Sequence, residues 1–183
     1  SASAHSTAML DYLDNLPSDA SSPGGVNQNY ARELLELHTL GIIKGQHVYT
    51  EDDVQAVAQI ISGWSMNWND GVGKFEFLFA PWQHSRTATS AFGGAFTVPA
   101  RSYGQGYDDG VRLLTYLAHH PSTARYISWK LCRRFVSDDP SDALVDSAAA
   151  VFTANDTAIA PTLRHILHSD EFAASTRKKV RRP

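Results

Sequence analysis

The sequence predicts a mainly α-helical fold with a small, irregular β-insertion. Most of its 183 residues lie in segments where apolar side chains recur every three or four positions, as in a helix with one buried face. Residues 64–98 interrupt this pattern. They hold three of the four tryptophans, and Phe75, Phe77 and Phe79 alternate with other residues as in a strand. We therefore expect a multi-helix fold with a β-hairpin and an aromatic-rich insertion around residues 64–98.

Seven helices are predicted, and most have a recognisable start or end. They cover residues 4–14, 27–41, 51–62, 106–119, 121–136, 140–154 and 158–168. Asn27 can cap the second helix, and Gly41 suits a left-handed C-terminus. Thr50 and the acidic residues after it resemble a capping box, while Pro121 and Pro140 suit the first turn of a helix.

Composition excludes several classes of protein. Hydrophobic residues make up 43% and charged residues 19%, as in a globular fold. A net charge of −3 gives no general attraction to nucleic acid or to an anionic membrane. No apolar run approaches the roughly 18 residues of a membrane span. The single cysteine, Cys132, lies in an apolar helical pattern and is expected in the core. Residues 1–183 are predicted to form one domain, or a large part of a longer one.

The helix predicted at residues 27–41 combines an apolar stripe with several titratable groups. The stripe expected to be buried includes Tyr30, Leu34 and Leu37. Four polar side chains share about 100° of arc on another face: Asn29, Arg32, Glu33 and Glu36. His38 falls outside that arc. No metal site is predicted on this helix, because its carboxylates and its histidine would face different ways.

Two interpretations of Glu33 and Glu36 remain open. In the first, they form a carboxylate pair in a cleft, where one acts as a general acid and Asn29 and Arg32 bind the ligand. In the second, Glu33 and Glu36 belong to a structural network with Asn29, Arg32 and Arg134. Arg134 is expected half-buried on a later helix and is also a candidate ligand-binding residue. The first interpretation predicts an enzyme of the hydrolase type, and the second predicts a purely structural helix.

The aromatic segment is a further candidate site. Trp64, Trp68 and Trp82 lie among short polar residues, a mixture that suits stacking on sugar rings. The alternative is that these rings pack the hairpin onto the helices. His84 follows in a loop, where catalytic groups are common, and is a third catalytic candidate. Arg133 is expected to point away from the core with neighbouring aromatic residues, either as an anion- or sugar-binding group or as a surface arginine. No cofactor-binding motif is present, so the cofactor stays unknown.

Four motifs occur in a recognisable order along the chain. They are NQNYARELLELHTLG at 27–41, YTEDDVQAVAQIISGW at 49–64, HHPSTARYISWKLCRRFVSDDPSDALV at 119–145 and LRHILHSDEF at 163–172. Together they resemble the bacterial family known as domain of unknown function 1800. The chain departs from that family at Gln28, where a glutamate is usual, and at Ser85, where an aspartate usually follows the histidine.

The resemblance implies properties that the residues alone do not. It implies that this chain is a partial, C-terminal portion of a longer protein exported to the periplasm or outside the cell, often with a twin-arginine signal. It also implies a sulfatase-like exported partner. We therefore expect a protein that binds or hydrolyses an extracellular polysaccharide. The alternative is a non-catalytic helical scaffold or interaction module for an exported partner enzyme.

Overall fold

The computed structural model describes residues 4–22 and 25–176. The fold is 49% helical, with eight α-helices and two small two-stranded sheets in the described residues, so the predicted mainly α fold with a β-insertion is confirmed. None of the described helices is both long and apolar enough to cross a membrane. The chain divides into two compact units. One comprises Ser1–His38 and Val48–Tyr116, and the other Thr39–His47 and Leu117–Pro183. The prediction of a single domain stays a prediction.

The first unit contains three short helices, four strands and most of a fourth helix. The helices are α1 (Thr7–Tyr12), α2 (Asn29–Glu33), α3 (Glu51–Ile61) and α4 (Tyr107–Ala118). The strands are β1 (Trp64–Met66), β2 (Phe77–Phe79), β3 (Thr89–Ala91) and β4 (Phe96–Val98). The capping box predicted for α3 is confirmed, because Thr50 accepts a hydrogen bond from the Asp53 amide while the Asp53 carboxylate accepts one from the Thr50 amide.

The predicted β-insertion consists of two antiparallel hairpins. β1 pairs with β2, with Trp64 opposite Phe79 and Met66 opposite Phe77. β3 pairs with β4, with Thr89 opposite Val98. The strands therefore begin and end at the predicted limits of the insertion. Strands this short are stable only when packed against another element, and β3 packs on α3.

Trp64 lies at the centre of the first unit. It is 1% exposed, and its backbone carbonyl accepts a hydrogen bond of 2.8 Å from Asn15 Nδ2. The edge of the indole lies against Gly110 in α4, where the Cβ of any larger residue would overlap the ring. Phe77 meets the same indole in a T-shaped contact. These contacts fix β1 against the first turns of α4.

The helix predicted at residues 27–41 is shorter and changes its pitch. α2 is followed by a π-helical segment, Leu34–His38. Bonds from residue i to i+5 shift which side chains share a face, so Leu35 is fully buried while Leu37, which was predicted to be buried, is 45% exposed. Gly41 has the expected positive φ of 73° but lies beyond the helix end. The sequence prediction failed here because it assumed α-helical pitch throughout.

The second unit is helical. It contains α5 (Pro121–Phe135), α6 (Asp142–Ala154), α7 (Ile159–Leu167) and the short α8 (Asp170–Ala173), which was predicted only as a turn. Pro121 occupies the first turn of α5 as predicted. Cys132 is fully buried with Val136, Val145 and Ile166, and burial raises the pKa of its thiol to about 11. The prediction of a core cysteine is confirmed.

A buried carboxylate anchors the start of α4. Asp109 is 2% exposed and accepts two hydrogen bonds of 2.6 Å from Arg101 and one of 3.0 Å from Arg112. The hydrogen bonds from Arg101 hold the pKa of Asp109 below its ordinary value. The loop that precedes α4 is thereby tied to the first turn of the helix.

Replacing Asp109 with asparagine is expected to destabilise the protein by about 2 kcal/mol at pH 7. This is less than the roughly 3–5 kcal/mol for breaking a fully buried pair, because both arginines reach solvent. The native pKa lies below the unfolded value of about 3.9. The stabilisation is therefore fully present above that value and is lost as the pH falls through the native pKa. Urea unfolding of the wild-type protein and of D109N, at pH 7 and at about pH 3, measures the difference in their free energies of unfolding. The exposed neighbour Asp108 provides the control, and D108N should change stability by less than about 0.5 kcal/mol. A D109N effect that is the same at both pH values would contradict this assignment.

Candidate functional site

Two cavities in the first unit hold several of the polar residues selected from the sequence. The helix cavity has a volume of about 590 Å³ and is lined by Met9, Tyr12, Leu13, Asn29, Glu33, Leu37 and His38. The loop cavity has a volume of about 530 Å³ and its chemically distinctive lining residues are Trp82, His84, Ser85, Arg86, Thr87 and Tyr103. Both volumes lie within the range of small-molecule sites.

The π-helical segment builds the helix cavity. In an α-helix, residues five apart lie about 140° apart around the axis. Glu33 and His38 are five apart, yet both line this cavity, because the wider π turn closes bonds from i to i+5. The sequence prediction that the histidine faces away from this glutamate is therefore wrong.

The polar groups of the helix cavity are rich in hydrogen-bond acceptors. Glu33 is half-buried, and its carboxylate forms no hydrogen bond or ion pair within residues 4–22 and 25–176. The side-chain nitrogen of Asn29 donates to the Leu13 carbonyl at 3.4 Å, so the side-chain oxygen of Asn29 can accept a hydrogen bond from a ligand. The remaining lining residues are Met9, Tyr12, Leu13, Leu37 and His38. An ionised carboxylate can only accept hydrogen bonds, so the cavity suits a ligand that donates them.

Glu36 and Arg32 lie outside the helix cavity. Arg32 forms a bidentate ion pair with Glu51, with both N–O distances 2.7 Å, rather than with Glu33. The hydrogen bonds that Arg32 donates to Glu51 raise the pKa of Arg32, and the nearby charge of Glu36 adds to this. The cleft predicted to hold both glutamates therefore holds Glu33 alone, and Arg32 has a structural partner that the sequence did not reveal.

The loop cavity is bordered by two exposed aromatic side chains. Trp82 is 56% exposed and Tyr103 is 63% exposed. The hydroxyl groups of Ser85 and Thr87 form a hydrogen bond with an O–O distance of 3.0 Å. The guanidinium of Arg86 forms no ion pair with any residue that the structure describes. The cavity thus combines flat apolar faces, hydroxyl groups and an available cation.

His84 forms an inner wall of the loop cavity and is 7% exposed. Its Nδ1 lies 2.7 Å from the Ser62 carbonyl oxygen, and because a carbonyl only accepts, Nδ1 carries the proton. Burial lowers the pKa of His84, so the imidazole is neutral at pH 7 and Nε2 has a lone pair. That nitrogen packs against Gly106. The Ser62 carbonyl thus orients this ring, a role that no sequence motif indicated.

The remaining predicted residues are not gathered at these cavities. Trp64 is a core residue, and its prediction as a ligand-stacking residue is corrected because protein covers both faces. Trp68 is 59% exposed and makes a T-shaped contact with Phe75 at a centroid distance of 6.1 Å, but it lines neither cavity.

Two predicted arginines belong to the second unit. Arg133 lies over the Trp129 ring at 5.2 Å, and Trp129 stacks on Tyr126, so the predicted grouping of this arginine with the aromatic residues is confirmed. Arg134 was expected to be half-buried, but it is exposed. Its pairing with Glu33 or Glu36 stays a prediction. No group of three or more His, Cys, Asp or Glu side chains able to hold a metal occurs in the described part of the chain.

Replacing Gly106 with alanine is expected to displace His84 and destabilise the protein. Gly106 has a φ of 113°, and a Cβ there would overlap His84 Nε2. We expect a loss of about 3 kcal/mol, from backbone strain together with overpacking. Gly104 is the matched control, since its φ is 86° but a Cβ would meet no atom within 4 Å. G104A should therefore cost only the strain, about 1–2 kcal/mol. Calorimetric unfolding measures both variants, and equal losses would show that contact with His84 is unimportant.

One family model matches this sequence. It carries the description "Protein of unknown function (DUF1800)" and matches residues 1–183, the whole chain. No curated protein and no solved structure matches the chain.

Proposed function

The chain belongs to the family "Protein of unknown function (DUF1800)", whose description states no activity, and we propose that it binds polysaccharide chains through the loop cavity. One observation carries this proposal. Trp82 and Tyr103 are both more than half exposed and line one cavity together with hydroxyl groups and an arginine. Aromatic faces cover the apolar faces of sugar rings, while short polar groups bind their hydroxyls.

The chemistry of the loop cavity supports binding more than hydrolysis. Glycoside hydrolysis ordinarily needs two carboxyl groups that flank the bond to be cleaved, about 5–9.5 Å apart. Within the described residues, neither aspartate nor glutamate lines the loop cavity. Glu33 lines the other cavity, and Glu36 lines neither. The proposal therefore assigns the loop cavity a binding role, and catalysis by Glu33, Glu36 and His84 stays a prediction.

A polysaccharide ligand is consistent with a bacterial protein that works outside the cytoplasm. Long glycans are concentrated in bacterial envelopes and their surroundings, so we propose that the protein is exported to the periplasm or beyond. Detection of the native protein in the envelope or secreted fraction of its own cells, rather than in the cytoplasmic fraction, tests this part of the proposal.

A second candidate function is that of an interaction module for an exported, sulfatase-like enzyme. The observation in its favour is an exposed apolar tip between β1 and β2. Trp68 is 59%, Val72 105% and Phe75 52% exposed. Exposed aromatic and apolar groups in one place are typical of protein interfaces.

Replacing Trp82 with alanine is expected to weaken polysaccharide binding by tenfold or more, a loss of about 1.4 kcal/mol. A stacking surface is removed, and no buried residue is disturbed. Trp68→Ala is the matched control, because Trp68 is equally exposed but lies outside both cavities. Titration calorimetry of the full-length protein against a panel of neutral and acidic polysaccharides provides the measurement.

The outcomes separate the two candidate functions. Binding that is weakened by W82A and unchanged by W68A supports the loop cavity. Failure of the wild-type protein to bind any glycan in the panel would remove the polysaccharide proposal. Loss of binding to the sulfatase-like enzyme in W68A alone would favour the interaction module.

A further inference from the structure

We propose that the helix cavity is a second binding site, and that its ligand is a small organic cation: an ammonium or guanidinium group on an apolar body. This site is separate from the loop cavity and does not depend on the polysaccharide proposal. Glu33 is the residue that would pair with the cation.

The charge of the cavity indicates the sign of the ligand. Glu33 is the one acidic residue among the described lining residues, and neither lysine nor arginine is among them. Its carboxylate has no partner in the described part of the chain, although burial of an unpaired charge is unfavourable. The nearest arginine along α2, Arg32, already has both terminal nitrogens on Glu51 at 2.7 Å. A cationic ligand would therefore supply the missing partner of Glu33.

The hydrogen-bonding groups favour a cation that carries N–H donors. The Asn29 amide group donates to Leu13, so its oxygen is the group available to a ligand. Together with the acceptor-only carboxylate of Glu33, it offers acceptors to the several N–H groups of an ammonium or guanidinium. A quaternary ammonium has no such donors and would lose these bonds.

The apolar residues that line the cavity explain why the proposed ligand carries an apolar body. Leu37 is 45% exposed and Tyr12 84% exposed, and both line this cavity with Met9. The exposure of Leu37 follows from the π-helical segment, which directs it to the cavity instead of the core. The tyrosine ring can also cover a cation by its π-face. Methionine adapts to ligands of irregular shape.

The loop cavity provides an internal contrast. Its charged lining residue is Arg86, whereas that of the helix cavity is Glu33. The same unit therefore presents two cavities of similar volume and opposite charge, and a cation that binds through Glu33 has no reason to enter the loop cavity.

The experiment uses benzylammonium as the probe and benzyl alcohol as its neutral counterpart. Binding to the full chain is followed at pH 7 by chemical-shift changes in nuclear magnetic resonance spectra. We expect benzylammonium to shift the signals of Met9, Leu13 and Leu37 and to bind at least tenfold more tightly than benzyl alcohol. Glu33→Gln should weaken its binding by tenfold or more. Glu36→Gln is the matched control, because it removes the same charge from the same segment outside the cavity, and it should change binding by less than twofold.

A second variant keeps the test valid if Glu33→Gln does not fold. Tyr12 is so exposed that Tyr12→Leu leaves the core intact, and it should weaken benzylammonium binding by about two- to fivefold through loss of the cation–π contact. The proposal is overturned if benzyl alcohol binds as tightly as benzylammonium, or if Glu36→Gln weakens binding as much as Glu33→Gln. It is also overturned if about 10 mM benzylammonium, enough to reveal even a millimolar site, leaves the cavity signals unchanged.

Discussion

The close approach of α4 to the segment around β1 is the constraint on which the first unit depends. Gly106 directly precedes α4 and Gly110 lies in its first turns, and each is in contact with a ring, His84 at Gly106 and Trp64 at Gly110. A side chain at either position would overlap its ring, so the helix could not pack at this distance. The ion pairs of Asp109 hold the same turn in place from another direction. His84, which forms an inner wall of the loop cavity, is part of this packing.

The two cavities differ in how they are made. The loop cavity is formed by irregular segments that long-range hydrogen bonds hold together. The Ser85 amide donates to the Ser62 hydroxyl, and His84 Nδ1 donates to the Ser62 carbonyl. The helix cavity is built by a change of helical pitch within a single segment. Irregular loops gather residues that are distant in sequence, whereas the change of pitch regroups residues that are close. Each device places polar groups at a surface without breaking the apolar core beneath it.

Local features of the fold could be predicted from the sequence because their causes are local. The capping box at Thr50, the proline at the start of α5 and the buried Cys132 each follow from a short pattern of residues. The alternation of Phe77 and Phe79 likewise predicted the strand that pairs with β1. In each case the residue types and their spacing contain the necessary information, and distant contacts only reinforce it.

The sites could be predicted only in part. Glu33, Asn29, His84 and Trp82 were selected by residue type, and all four line a cavity. The sequence does not show which tryptophan rings are covered by other residues, so it could not distinguish the buried Trp64 from the exposed Trp82. The roles of Arg86, Tyr103 and the Ser62 carbonyl depend on contacts between segments far apart in the chain. The change of pitch after α2 had no sequence signal, because Leu34–His38 has ordinary helix formers.

The π-helical segment also makes the spacing between Glu33 and His38 important when related chains are compared. A π turn holds one more residue than an α turn, so it acts as a phase shift in the helix. A relative with one residue fewer at this place could lack the π turn and continue as a regular α-helix. Its glutamate and histidine would then be four residues apart, about 40° around the axis, and would still share a face. A relative that keeps the spacing of five residues without the π turn would instead place the histidine about 140° away. For this cavity, the number of residues between the two groups is therefore as informative as their identity.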